Sequence, residues 1–66
     1  MEITMMLRYA RESKKINMHQ LSILSGVAYS HIWQIENENR IPSLTVLCKL
    51  AVALEVEPQE LFIYRP

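Results

Sequence analysis

Glycine and cysteine each occur once in this 66-residue chain, and neither sign of charge is in excess. A single cysteine excludes an internal disulfide and suits a reducing cytoplasm. No apolar run approaches the ~18–20 residues of a membrane-spanning helix. The opening M-E-I-T-M-M-L-R has no cationic segment followed by an apolar one, so no signal peptide is expected. There is no glycine-rich loop, nucleophile elbow or Glu/His cluster. His19, His31 and Cys48 lack zinc spacing, so neither a metal site nor a cofactor is expected. A domain this small has little room for a substrate pocket, which argues against an enzyme. What remains is a chain 50% hydrophobic, enough for one small core, although a domain of this size buries only about 60% of its unfolded surface. One soluble domain, residues 1–66, is expected.

The zero net charge conceals an uneven distribution. Residues 1–33 carry Arg8, Arg11, Lys14 and Lys15 against Glu2 and Glu12, a net +2. Residues 34–66 carry Arg40, Lys49 and Arg65 against Glu36, Glu38, Glu55, Glu57 and Glu60, a net −2. The basic excess usual for a nucleic-acid binder is therefore confined to one half of the chain.

The stretch from Asn17 to Glu36 is the most informative. Leu21 and Leu24, then Ile32 and Ile35, give two short segments the apolar spacing of helices on a core. Asn17 can cap the first of these, since its side-chain oxygen can accept a free backbone N–H. Gly26 stands where that helix must stop, a position that favours positive φ. Helices are expected at Met18 to Ser25 and Tyr29 to Glu36, a helix-turn-helix over about 17–36. Another is expected from about Thr4 to Lys14, with Ile3, Met6, Leu7 and Ala10 on its inner face. A fourth, Leu44 to Leu54, follows the Pro42-Ser43 stop and cap. Its buried stripe is expected to be Leu44, Leu47, Cys48, Ala51 and Leu54, with Val46, Leu50 and Val52 partly off it. Pro58 is suited to the first position of a short fifth helix, and Leu61 and Phe62 would close the core.

Leu7, Arg11, Leu21, Gly26-Val27, Ile32, Ile35-Glu36-Asn37, Pro42-Ser43, Leu47, Ala51 to Leu54 and Pro58 to Phe62 form an ordered set. It resembles the Cro/C1-type (XRE-like) helix-turn-helix family of bacterial and phage repressors over residues 4 to 62. The resemblance implies an all-α, five-helix, lambda-repressor-like domain that binds double-stranded DNA as a homodimer and regulates transcription, most simply as a repressor. It also implies an ion pair between Arg11 and Glu36 that ties the first helix to the recognition helix.

The segment from Tyr29 to Glu36 would then be the recognition helix, its N-terminal part in the major groove. Tyr29, Ser30, Trp33 and Gln34 are expected to face the bases, with His31 on the flank. Gln34 has the donor and acceptor that suit adenine. Asn17 and the backbone of Met18 and His19 are expected at the sugar–phosphate chain, since a helix N-terminus attracts anions. Met18 departs from the glutamine usual in relatives, which removes a phosphate hydrogen bond. Asn37, Asn39 and Arg40 are expected to meet phosphates from the next loop, where Glu38 and Asn39 stand for the family's glycine and lysine. Ile63 and Tyr64 have no place in a five-helix core and are expected at the dimer contact. Exposed Tyr29 and Trp33, with these departures, leave two alternatives: a protein-interaction module on the same fold, or an antitoxin that binds both DNA and a toxin.

Overall fold

Four helices do form, and the computed structural model, which describes all 66 residues, frames them with a two-stranded ribbon. The order is β1 (Glu2–Met5), α1 (Leu7–Ser13), α2 (Met18–Ser25), α3 (Tyr29–Glu38), α4 (Leu44–Leu54), a 3-10 turn (Pro58–Leu61) and β2 (Phe62–Arg65). The helix-turn-helix class expected from the sequence holds, with three corrections. The fifth helix is one 3-10 turn, the first helix begins at Leu7 because residues 2–5 are a strand, and the third helix continues past the expected Glu36 to Glu38.

β1 and β2 pair antiparallel, Glu2 opposite Arg65, Ile3 opposite Tyr64, Thr4 opposite Ile63 and Met5 opposite Phe62. Ile3, Thr4, Phe62, Ile63 and Tyr64 are all strand formers, and the outermost pair joins opposite charges. Asn39 holds the outer edge of β1. Its Nδ2 donates to the Ile3 carbonyl at 2.8 Å, and its Oδ1 accepts the Met5 N–H at 2.8 Å. It can do so because it ends α3 in the left-handed conformation, φ 50°, which asparagine tolerates well.

The core is formed by Leu7 and Ala10 of α1, Leu21, Val27, Ile32 and Ile35, then Leu47, Leu50, Ala51 and Leu54 of α4, and Leu61. Two expected stripes are rotated. On α4, Leu50 is fully buried, whereas Leu44 and Cys48 face solvent with Val52. On α2, Leu24 is exposed and Leu21 alone is fully buried. Ser22, half-buried, donates to the Val27 carbonyl at 2.6 Å. That satisfies its hydroxyl and ties the end of α2 to the turn.

Asn17 caps α2 reciprocally. Its side chain accepts the Gln20 N–H at 2.8 Å, and Gln20 Oε1 accepts the Asn17 N–H at 2.9 Å. Gly26 closes the same helix at φ 73°, and a β-carbon there would meet nothing within 4 Å. Gly26→Ala is therefore expected to cost only the backbone penalty of the left-handed region, about 1–2 kcal/mol. A urea midpoint lowered with unchanged slope would show it. A slope change would instead mean that the turn rearranges.

Candidate nucleic-acid interface

α3 is anchored by Ile32 and Ile35, both buried, and by a charged lock at Glu36. The Glu36 side chain has no exposed surface, and Arg11 retains 11% of its own. Arg11 Nε donates to Glu36 Oε2 at 2.7 Å and Nη2 to Oε1 at 2.9 Å, while Nη1 donates to the Ile16 carbonyl at 2.9 Å. Such a two-pronged contact fixes orientation as well as distance. The hydrogen bond to Glu36 raises the Arg11 pKa above its ordinary value and outweighs burial, which lowers it.

Arg8 joins this lock, a role not expected from the sequence. Its Nε donates to Glu36 Oε1 at 3.2 Å and its Nη2 to Asn37 Oδ1 at 2.7 Å. The available signal was the three-residue spacing of Arg8 and Arg11, which puts both on one helix face. Two of the four cations in the N-terminal half are thus turned inward toward α3.

The residues expected at DNA fall into two groups. Tyr29, Ser30 and Trp33 are exposed along one side of α3. Tyr29 stacks on His19, ring centroids 4.5 Å apart and planes 25° from parallel. This stack brings the starts of α2 and α3 together. α3 has no side-chain cap at Ala28, and of its first turn the His31 N–H donates to the Ala28 carbonyl while those of Tyr29 and Ser30 remain open. On α2, Asn17 occupies the Gln20 N–H, which leaves the Met18 and His19 N–H groups for another acceptor. The Met18 side chain packs on the core, so only its backbone is placed for a phosphate.

The second group is engaged within the fold. Asn39 is spent on β1. Asn37 accepts from Arg8 and donates to the Trp33 carbonyl at 3.0 Å. His31 is half-buried, with Nε2 enclosed and unpaired. Gln34 Oε1 accepts a hydrogen bond from Arg40 Nη1. One of the two lone pairs of that oxygen is thereby occupied, and its amide donors remain open. Arg40, exposed, could meet a phosphate.

Ile63 and Tyr64 lie on β2, and both are exposed. The outward residues of α4, with Leu24, line a separate open groove of about 570 Å³. No group of metal-ligating side chains occurs in the structure, and no helix is long and apolar enough to cross a membrane.

Comparison with known proteins gives a consistent picture. A helix-turn-helix family profile matches residues 7–61. The HTH-type transcriptional regulator y4dL of Sinorhizobium fredii, itself uncharacterised, is 46% identical over 55 residues, covering 83% of this chain and 28% of that protein. The HTH-type transcriptional repressor RghR of Bacillus subtilis is 40% identical over 60 residues, covering 89% of this chain and 44% of its own. The chain thus spans less than half the length of these curated relatives. The crystal structure of the restriction-modification controller protein C.AhdI from Aeromonas hydrophila superposes with a TM-score of 0.76 at 39% identity, covering 82% of each chain.

Proposed function

The chain belongs to the Cro/C1-type helix-turn-helix family, and from that premise we propose that it is a sequence-specific DNA-binding transcriptional regulator. α3 enters the major groove, with Tyr29, Ser30, Trp33 and Gln34 against base edges. The free N–H groups of Met18 and His19, beside capped Asn17, take a phosphate at the start of α2. The protein acts in the cytoplasm as a homodimer whose contact includes Ile63 and Tyr64. Its two recognition helices sit about 34 Å apart on a pseudo-palindromic operator, and occupancy of a promoter represses it sterically. The observation that carries this reading is the outward face of α3. Its exposed aromatic and hydroxyl groups lie beside two helix starts joined by the His19–Tyr29 stack.

Trp33, the chain's only tryptophan, provides the probe. Titration of the protein with a pool of random-sequence duplexes is expected to change its fluorescence saturably at low salt, less so as salt rises. Two to four phosphate contacts per subunit give a log–log salt slope of roughly −4 to −7 for a dimer. A slope steeper than about −9 would contradict that contact count. No fluorescence change with folded protein at low salt would overturn the DNA reading. Arg40→Ala removes both a phosphate charge and the restraint on Gln34, so it is expected to weaken binding to all sequences and to flatten the slope. Gln34→Ala is expected to relax preference at one base pair.

A further inference from the structure

The C-terminal end of α3 is tied to two other elements. Arg8 and Arg11 reach Glu36 and Asn37 from α1. One residue beyond the helix, Asn39 reaches β1 with both ends of its amide, each bond 2.8 Å long. In an antiparallel pair, alternate residues turn their N–H and C=O away from the partner strand. The Ile3 carbonyl and the Met5 N–H are such groups, so Asn39 stands where a third strand would. Directly after it comes Arg40, which is bound twice to one residue of α3. Its backbone N–H donates to the Gln34 carbonyl at 3.2 Å, and its Nη1 donates to Gln34 Oε1. The remaining loop is short and held at its far end. Pro42 restricts Ile41 to extended backbone, and Ser43 caps α4 through the Val46 N–H. Ile3, Met5, Ile41 and Pro42 share the walls of an apolar cleft of about 160 Å³, so ribbon and loop face each other there as well.

We propose that Asn39 is a positioning residue for DNA recognition, clamping the loop after α3 to the N-terminal strand so that Arg40 and Gln34 are held ready for the duplex. This deepens the reading above, in which Arg40 meets a phosphate and Gln34 a base, and rests on it. Most other cations are committed elsewhere. Arg8 and Arg11 turn toward Glu36, Lys49 lines the groove of α2 and α4, and Arg65 lies opposite Glu2 in the ribbon. Arg40 is the cation joined to Gln34, so its contribution depends on how much freedom it must still lose on binding. Arginine has one of the largest side-chain entropies, and ordering such a side chain at an interface works against affinity. A guanidinium already held by Gln34, on backbone already fixed by Asn39, has lost part of that freedom before DNA arrives. Asparagine suits the position for two reasons. It tolerates the left-handed φ of 50° found there, and it carries a donor and an acceptor on one planar amide. Glycine would keep the turn without the clamp. Residues 2–5 thereby gain a role at a distance, since they set the loop without touching the duplex.

A double-mutant cycle tests the role, read by Trp33 fluorescence on the duplexes best bound from the random pool. Asn39→Gly is expected to weaken binding about three- to tenfold, with an unchanged far-UV circular dichroism spectrum. In an Arg40→Ala background the same change is expected to alter binding by less than about twofold, because the group it positions is gone. An equal loss in both backgrounds would mean that Asn39 serves folding alone, and would overturn the proposal. Because glycine also loosens the backbone, Met5→Pro breaks the clamp from the other side. It removes the N–H that Asn39 accepts, at a strand edge where proline is tolerated. It is expected to reproduce both the loss and its dependence on Arg40. A folded Met5→Pro chain that binds as the wild type does would overturn the proposal. Should that variant not fold, the Asn39→Gly cycle decides. Amide hydrogen exchange without DNA reads the clamp by itself. The Met5 N–H is expected to be protected in the wild type and to exchange at least about tenfold faster in Asn39→Gly, and equal rates would overturn the clamp. A folded wild-type chain that binds no duplex sinks the regulator reading and the positioning role with it, while the Met5 exchange still reports the clamp. A chain that binds duplexes equally well with and without Asn39 overturns the positioning role and leaves the regulator reading standing.

Discussion

Glu36→Ala is expected to destabilise the protein by about 3–5 kcal/mol, the usual result of removing one partner from a buried ion pair. A 66-residue chain has a total stability of roughly 3–10 kcal/mol at typical per-residue values, so a large part of the population would unfold. The cause lies in what is left behind. Without its carboxylate, the Arg11 guanidinium stays charged with 11% of its side chain exposed, and only the Ile16 carbonyl still accepts from it. Arg8→Ala should cost no more than about 1 kcal/mol, because exposed ion pairs contribute little and half of the Arg8 side chain is in water. Replacing both members, as in Arg11→Leu with Glu36→Leu, is expected to recover much of the loss, since no buried charge then goes unpaired. Urea unfolding followed by circular dichroism separates these cases. A double variant no more stable than Glu36→Ala would show that Leu side chains cannot fill the site. Moderate pH cannot substitute for the mutation on the arginine side. The Arg11 pKa is raised in the folded state, so its contribution is fully present below the ordinary arginine value and disappears only above it.

The second large effect contrasts two leucines on one helix. Leu50→Ala is expected to cost about 2–5 kcal/mol, the range for a fully buried leucine whose site collapses only partly. Leu44→Ala should change stability by no more than about 0.5 kcal/mol, as surface substitutions do. Leu50 has no exposed surface, and Leu44 is 79% exposed. Parallel urea titrations of the two variants would decide which face of α4 is inward. Equal losses would return Leu44 to the core, where helical spacing alone had put it.

That contrast shows where local reading ends. α4 reads L-T-V-L-C-K-L-A-V-A-L, apolar over most of its circumference, so periodicity offers several stripes of similar quality. What chose among them was the position of α2 and the 3-10 turn against α4. α2 was misassigned similarly at Leu24, because a short helix with two leucines three apart does not define its own inner face.

Features carried by one residue and its immediate neighbours could be read directly from the chain. These include the Asn17 cap, the left-handed stop at Gly26, the Ser43 cap with its bond to Val46, and Pro58 at the start of its turn. Each depends on hydrogen bonds or φ values within a few residues, so sequence alone determined the helix-turn-helix, the limits of α2 and the start of α3, though α3 runs two residues past the expected Glu36. Tertiary structure decided the rest. β1 is a strand only because Phe62–Arg65 lies beside it, and a pairing between opposite ends of the chain leaves no local trace. The inward turn of Arg8, the use of Asn39 to close β1, and the coupling of Gln34 to Arg40 also join separate elements. The chain could announce a recognition helix because helices are made locally. Which of its polar side chains remain free for DNA depends on partners that only folding brings within reach.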